Sequence, residues 1–304
     1  METRRRTSLY CLSLLVAMAA ATSVWAQHTP PTLSEKEMRQ IGDALPAKAT
    51  VAPAAPRKVL LFWRCEGFFH GDGIAAGNKA VEMMGEKTGA FTVVTSDDMS
   101  MFDPDKLNAF DAVIFNNTTN LAFENPVHRQ ALLDFARNGK GIVGTHSSVD
   151  NFYKWPEGAA MMGALFAGHP WGEAPVKLDD PEHPLLKAFG GKGFWVQDEM
   201  YQMRDPYSRE KLRVLLSFDM SKLPADAPTR EDKDNAIAWV QQVGKGRVFY
   251  CSLGHNRNIF WDPAILQFYL DGIQYALGDL PADATPSAAL NPQPQPALPP
   301  AKSK

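Results

Sequence analysis

Three histidines stand just beyond short apolar runs: His70 in "KVLLFWRCEGFFH", His146 in "GKGIVGTHSS" and His255 in "RVFYCSLGH". An imidazole titrates near neutral pH, so it suits proton abstraction, proton donation or, when neutral, metal ligation. One histidine at a strand end is more often a hydrogen-bonded structural residue; three at equivalent places mark a candidate site. The stretch "VQDEMYQM" adds Asp198, Glu199 and Tyr201. On a strand, neighbours point to opposite faces, so Glu199 and Tyr201 share one face and Asp198 takes the other. A carboxylate beside imidazoles orients a general-base histidine or ligates a metal. His169 in "GHPWG" is placed to project over the same edge with Trp171 next to it, and Asn116 and Asn117 follow the run "AVIF". His128, inside the pattern "NPVHRQALLDFARN", is expected on a helix surface, and His183, between prolines, at a turn or helix start.

A parallel sheet is the element that brings such residues together. Lys58–Trp63, Ala112–Phe115, Gly141–Gly144 and Arg247–Ser252 are continuous apolar runs bounded by turn residues, the pattern of strands covered on both faces, with a further strand expected at Phe91–Thr95. Helical patterns over Gly73–Thr88 and Pro126–Asn138 lie between them, the second stopping at Asn138-Gly139. Alternating strands and helices imply right-handed crossovers, and loops leaving the carboxyl ends of such strands share the ligand-binding edge. Residues 147–246 lose this rhythm. They suggest a more antiparallel extension with a strand at 213–218 and a Gly-Lys-Gly hairpin pairing "AIAWVQQ" with "RVFYCS".

The ends set the compartment. Arg4-Arg5-Arg6, an apolar stretch from Leu9 to Ala21 and Val24-Trp25-Ala26 have the order of a secretory signal over residues 1–26. Export is therefore expected, without membrane insertion after cleavage. No lipobox cysteine follows the apolar stretch, which favours a soluble periplasmic form. Loss of three arginines and Glu2 moves the net charge from −3 to −5, and no basic stripe remains to attract nucleic acid. Residues 27–56 hold a short amphipathic segment with a capping box at Ser34–Glu37, followed by an Ala/Pro linker. Residues 57–280 suit one α/β domain, and the Pro/Ala-rich tail 281–304 has no apolar period and is expected to be disordered. Cys65 and Cys251, both in apolar runs, are expected as small buried thiols, with a disulfide the alternative.

In the order and spacing of "KVLLFWRCEGFFH", "GKGIVGTHSS", "FAGHPWGE", "VQDEMY" and "AIAWVQQVGKGRVFYCSLGH", the chain resembles the ThuA-like (trehalose-utilisation) family over most of 57–280. The resemblance implies an α/β fold: a flavodoxin-like, class I glutamine amidotransferase-like three-layer sandwich with a mostly parallel sheet. It also implies catabolism of sugars oxidised at C3, hence a small-molecule carbohydrate as partner. An amidotransferase elbow reads Gly-x-Cys-x-Gly; here His146 occupies the nucleophile's position, so Cys-dependent glutaminase chemistry is excluded there. The catalytic candidates are then His146, His255, His70 and Glu199. The substrate-binding candidates are His169, Trp171, Asp198, Tyr201, Asn116 and Asn117. A divalent metal as cofactor stays open, with His70, His146, His255 and Glu199 as its candidate ligands, which would have to come from separate loops. The alternative from another class is a non-catalytic sugar-binding module, supported by aromatic residues near the same edge, among them Phe68 and Trp171.

Overall fold

The computed structural model describes residues 28–223, 227 and 230–301. The expected signal segment 1–26 lies outside them. Apolar residues in the five strands of the parallel half alternate between two cores, which fixes a three-layer architecture. In β1 (Lys58–Phe62), Val59 and Leu61 enter one core while Leu60 and Phe62 enter the other. The first core is closed by α1 (Glu35–Ala44), α2 (Gly71–Thr88) and α6 (Pro263–Ala276). The second is closed by α3 (Pro104–Leu107), α4 (Pro126–Arg137) and α5 (Pro156–Met162).

The sheet has two halves. β2 (Thr92–Ser96), β1, β3 (Ala112–Asn116), β4 (Gly141–Thr145) and β11 (Gly246–Cys251) run parallel in that spatial order. Beyond β11 the same sheet continues antiparallel through β10 (Ala236–Val243), β9 (Arg213–Phe218), β6 (Trp171–Leu178) and β7 (Phe194–Glu199). The short strands β5 (Leu165–Gly168) and β8 (Gln202–Arg204) form a separate pair above it. Every strand expected from the apolar runs is present to within a residue or two, and Gly244-Lys245 makes the β10–β11 turn.

The flanking segments are tied to this body. Ser34 and Glu37 form the expected capping box on α1. The Ala/Pro segment after α1 crosses α6: Gln274 Oε1 accepts from the Thr50 amide, Gln274 Nε2 donates to Val51 O, and Arg57 pairs with Asp279. The tail, expected to be disordered, packs along the antiparallel half over 281–301. Ser287 Oγ accepts from the Val214 amide at 2.9 Å, Ala297 exchanges two backbone hydrogen bonds with Leu178, and Trp195 Nε1 donates to Pro300 O. An extended Pro/Ala segment needs no hydrophobic period when its carbonyls and amides find partners on an exposed edge. Cys65 and Cys251 are both free thiols, and burial pushes Cys251 up to about 12.

Candidate functional site

The parallel half presents three imidazoles at one edge. His70 caps the N-terminus of α2, whose start packs so tightly on the 254–255 turn that a Cβ on Gly73 would lie 2.3 Å from Gly254 O. His146 follows β4 directly at φ +50°, the positive-φ elbow in which nucleophiles of other α/β enzymes sit. Its backbone carbonyl accepts from Tyr250 OH and its Nδ1 donates to Ser252 O at 2.7 Å, so the ring is locked with Nε2 outward. His255 follows β11 by four residues. The ring centres of His70, His146 and His255 are 4.8–5.4 Å apart, nearly perpendicular in pairs.

The antiparallel half supplies the carboxylate. Glu199, the last residue of β7, places Oε2 3.2 Å from His146 Nε2 and Oε1 3.1 Å from His255 Nδ1 and 3.3 Å from His169 Nε2. Two of these atoms, Glu199 Oε2 and His255 Nδ1, are buried yet satisfy hydrogen-bond geometry with no partner among the described residues. One ligand atom from each of His70, His146, Glu199 and His255 falls within 4.8 Å of the others, so these four residues could hold a metal ion. Tyr201 OH approaches His146 Nε2 at 3.1 Å, and Ser147 Oγ meets His70 Nδ1 at 3.3 Å.

The electrostatics follow from this crowding. Burial, then the charges of His146 and His255, pulls His70 down to about 3, so it is a neutral imidazole. Burial alone would raise the Glu199 carboxyl, but the neighbouring His146 and His255 hold it far below the usual carboxylate range. Burial lowers His255, yet the adjacent Glu199, with Asp198 and Asp72 behind, leaves it raised overall. The Tyr201 hydroxyl is raised by burial.

Not every expected contact residue reaches this point. Asp198 is 2% exposed, and its two carboxylate oxygens accept from the Glu199 and Gly254 amides; it pins the His255 turn to β7 and offers nothing to a substrate. Asn116 and Asn117 are likewise inside, with Asn116 Nδ2 bonded to Asn78 and Asn117 Nδ2 to Asn116, posts beneath the start of α2. Tyr201 is 2% exposed and touches the cluster only through its hydroxyl. His169 and Trp171 do reach the open side, Trp171 with its ring 5.5 Å from His255. His128, expected on a surface, is buried on the face of α4 that meets Asp103, at 2.9 Å. His183 caps a short 3₁₀ turn, as its position between prolines suggested. Phe68, expected among the aromatic residues near this edge, stands there. Here it is 67% exposed with its ring 4.7 Å from His70, and "FFH" before a helix start was the available signal.

A hollow of about 1350 Å³ lies elsewhere, at the free edge of β2 between Pro53–Lys58 and α2, and no imidazole lines it. Chemistry rather than volume locates the candidate site. The chain's fold is similar to those of solved proteins that include one described as ThuA-like from Bacteroides uniformis (TM-score 0.60, 22% identity, 74% of this chain and 93% of that one) and another from Parabacteroides merdae (TM-score 0.57, 19% identity, 74% and 92%). No curated protein matches the chain. The ThuA family model, described as trehalose utilisation, matches residues 58–276, a span that includes the edge carrying all five clustered side chains, and the chain belongs to that family.

Proposed function

We propose that the chain is an exported carbohydrate-catabolism protein that cleaves a 3-keto-glycoside or related oxidised sugar by acid/base chemistry at this edge. The observation that carries the reading is one carboxylate, Glu199, contacted by three imidazoles from three separate loops, His146, His169 and His255. A ketone at C3 acidifies the C2 hydrogen. Removal of that proton generates an enolate, and the pair of electrons then expels the glycosidic oxygen from C1, leaving a C1–C2 double bond.

The residues divide this work by exposure. His169 is the base, because its side chain is 32% exposed while His146 is fully enclosed. With Nε2 turned to Glu199, its Nδ1 is left for substrate, and the protonated ring returns the proton to the departing oxygen. His255, whose side chain is 26% exposed and whose charged form the adjacent Glu199 favours, stabilises the negative charge that grows on the C3 oxygen, with the buried His70 and His146 packed against its ring. Phe68 and Trp171, 67% and 49% exposed, flank the cluster and offer apolar faces to a pyranose ring. Those same faces favour the second reading, a sugar-binding module without turnover.

The test is a screen of oxidised and unoxidised disaccharides with product identification. Turnover confined to the 3-keto compounds, lost in His169→Ala with binding retained, supports cleavage. Binding of sugars without product in the unaltered protein supports the module.

A further inference from the structure

We propose that His70, His146, His255 and Glu199 form a binding centre for one first-row divalent transition-metal ion. The inference rests on the site reading above but not on its chemistry, since an ion could sit there whether or not a sugar is cleaved.

The geometry of the four donors is the first argument. An ion about 2.0–2.2 Å from nitrogen and oxygen ligands sets neighbouring donors roughly 3 Å apart at a right angle and roughly 3.5 Å apart in a tetrahedron. Glu199 stands 3.1 Å from His255 Nδ1 and 3.2 Å from His146 Nε2, and all four donor atoms fit within 4.8 Å. The widest pair must close by about 1 Å, within reach of small side-chain rotations, for the set to meet one ion.

The second argument is what the donors lack. His146 spends its Nδ1 proton on Ser252 O, so its neutral form presents a lone pair at Nε2, with the Tyr201 hydroxyl at 3.1 Å and Glu199 Oε2 at 3.2 Å. Glu199 Oε2 and His255 Nδ1 are both buried without a hydrogen-bond partner. A buried polar atom left unpaired costs about 1–3 kcal/mol. A single cation satisfies all of them at once.

The third argument is orientation. The Ser252 carbonyl behind His146 and the Ser147 hydroxyl at His70 Nδ1 are the outer partners that fix imidazole ligands in metal sites. Three nitrogens and one carboxylate suit zinc, manganese, iron or cobalt rather than magnesium or calcium, which take oxygen cages.

The test uses the full mature chain. Metal content is measured on the purified protein, which is then stripped with chelator and titrated separately with Zn²⁺ and Mn²⁺ by calorimetry, with thermal melting alongside. The expected result is about one ion per chain, a melting temperature that climbs with added metal as binding linkage requires, and at least tenfold weaker binding in Glu199→Gln and in His146→Gln. A His128→Gln control, outside the cluster, should bind like the unaltered protein. Circular dichroism of each variant separates lost ligands from lost folding. Failure of both ions to bind the folded, stripped chain, or equal binding by Glu199→Gln, overturns the proposal. The two readings fail separately: a folded, stripped chain that cleaves a keto-glycoside but binds neither ion sinks the metal centre alone, and a loaded protein that cleaves nothing sinks the cleavage alone.

Discussion

The parallel and antiparallel halves of the one sheet contribute to the site in different ways. β1, β2, β3 and β4 are joined through helices and β11 returns parallel beside β4 after the antiparallel excursion, so the loops after β1, β4 and β11 deliver His70, His146 and His255 to one edge. From β10 to β7 the strands are antiparallel, and only the end of β7 and the β5–β6 turn reach that edge, with Glu199 and His169. One half thus supplies the imidazoles by its architecture, and the other supplies the carboxylate by the placement of a single strand end. The seam between them is held by Asp198, whose carboxylate bonds the Gly254 amide.

The largest effects should appear where the halves meet. Glu199→Gln keeps the shape of the side chain but removes the charge that three imidazoles share; turnover of a 3-keto-glycoside is expected to fall about 10²–10⁴-fold, measured as kcat/KM. A loss under threefold would show the antiparallel half to be cover only. Next, Gly73→Ala forces a Cβ against Gly254 O and pushes α2 off the His255 turn. Stability should drop by about 1–3 kcal/mol in urea unfolding, as overpacking does, with activity falling alongside because His70 rides on that helix.

Two smaller effects separate the halves. Ser287→Ala leaves the buried Val214 amide on β9 unpaired, at a cost of about 1–2 kcal/mol, and hydrogen exchange should quicken in β9 while β1, β3 and β4 stay protected. Uniform loss of protection would mean that the halves unfold as one unit. The effect narrowest in conditions belongs to Asp271 on α6. Burial raises its carboxyl to about 6 despite hydrogen bonds from Thr50 and Gln267. The folded state therefore holds a proton that the unfolded chain, at about 3.9, releases, so this group's contribution declines as pH rises from about 4 to 6 and stays low above that. Asp271→Asn should flatten that part of the melting profile by about 2–3 kcal/mol, and an unchanged slope would remove Asp271 as its source.

The same contrast explains what could be read in the sequence. The parallel strands were legible because burial on both faces leaves an unbroken apolar run, and the strand-end histidines followed from the topology those runs imply. Glu199 was legible as a carboxylate beside imidazoles, on the strand face it shares with Tyr201. The fates of Asp198, Asn116 and Asn117 were not, because what makes them internal is backbone far along the chain: the Gly254 amide for Asp198, and the tight approach of α2 for the asparagines. His128 was misplaced for a related reason. A helix has two neighbours in a three-layer fold, and the apolar period marks the sheet-facing side while Asp103 of the preceding turn covers another. The tail was invisible to periodicity since it binds through backbone groups rather than through a side-chain stripe.

Coupling across the seam is the most direct test of the claim that the two halves build one centre. In a double-mutant cycle on kcat/KM for a 3-keto-glycoside, His255→Gln, Glu199→Gln and the double variant are compared with the unaltered chain. Groups that act as a unit give a double variant little worse than the poorer single one, and that is the result expected here. Losses that simply multiply, or no turnover by the unaltered chain, would contradict it.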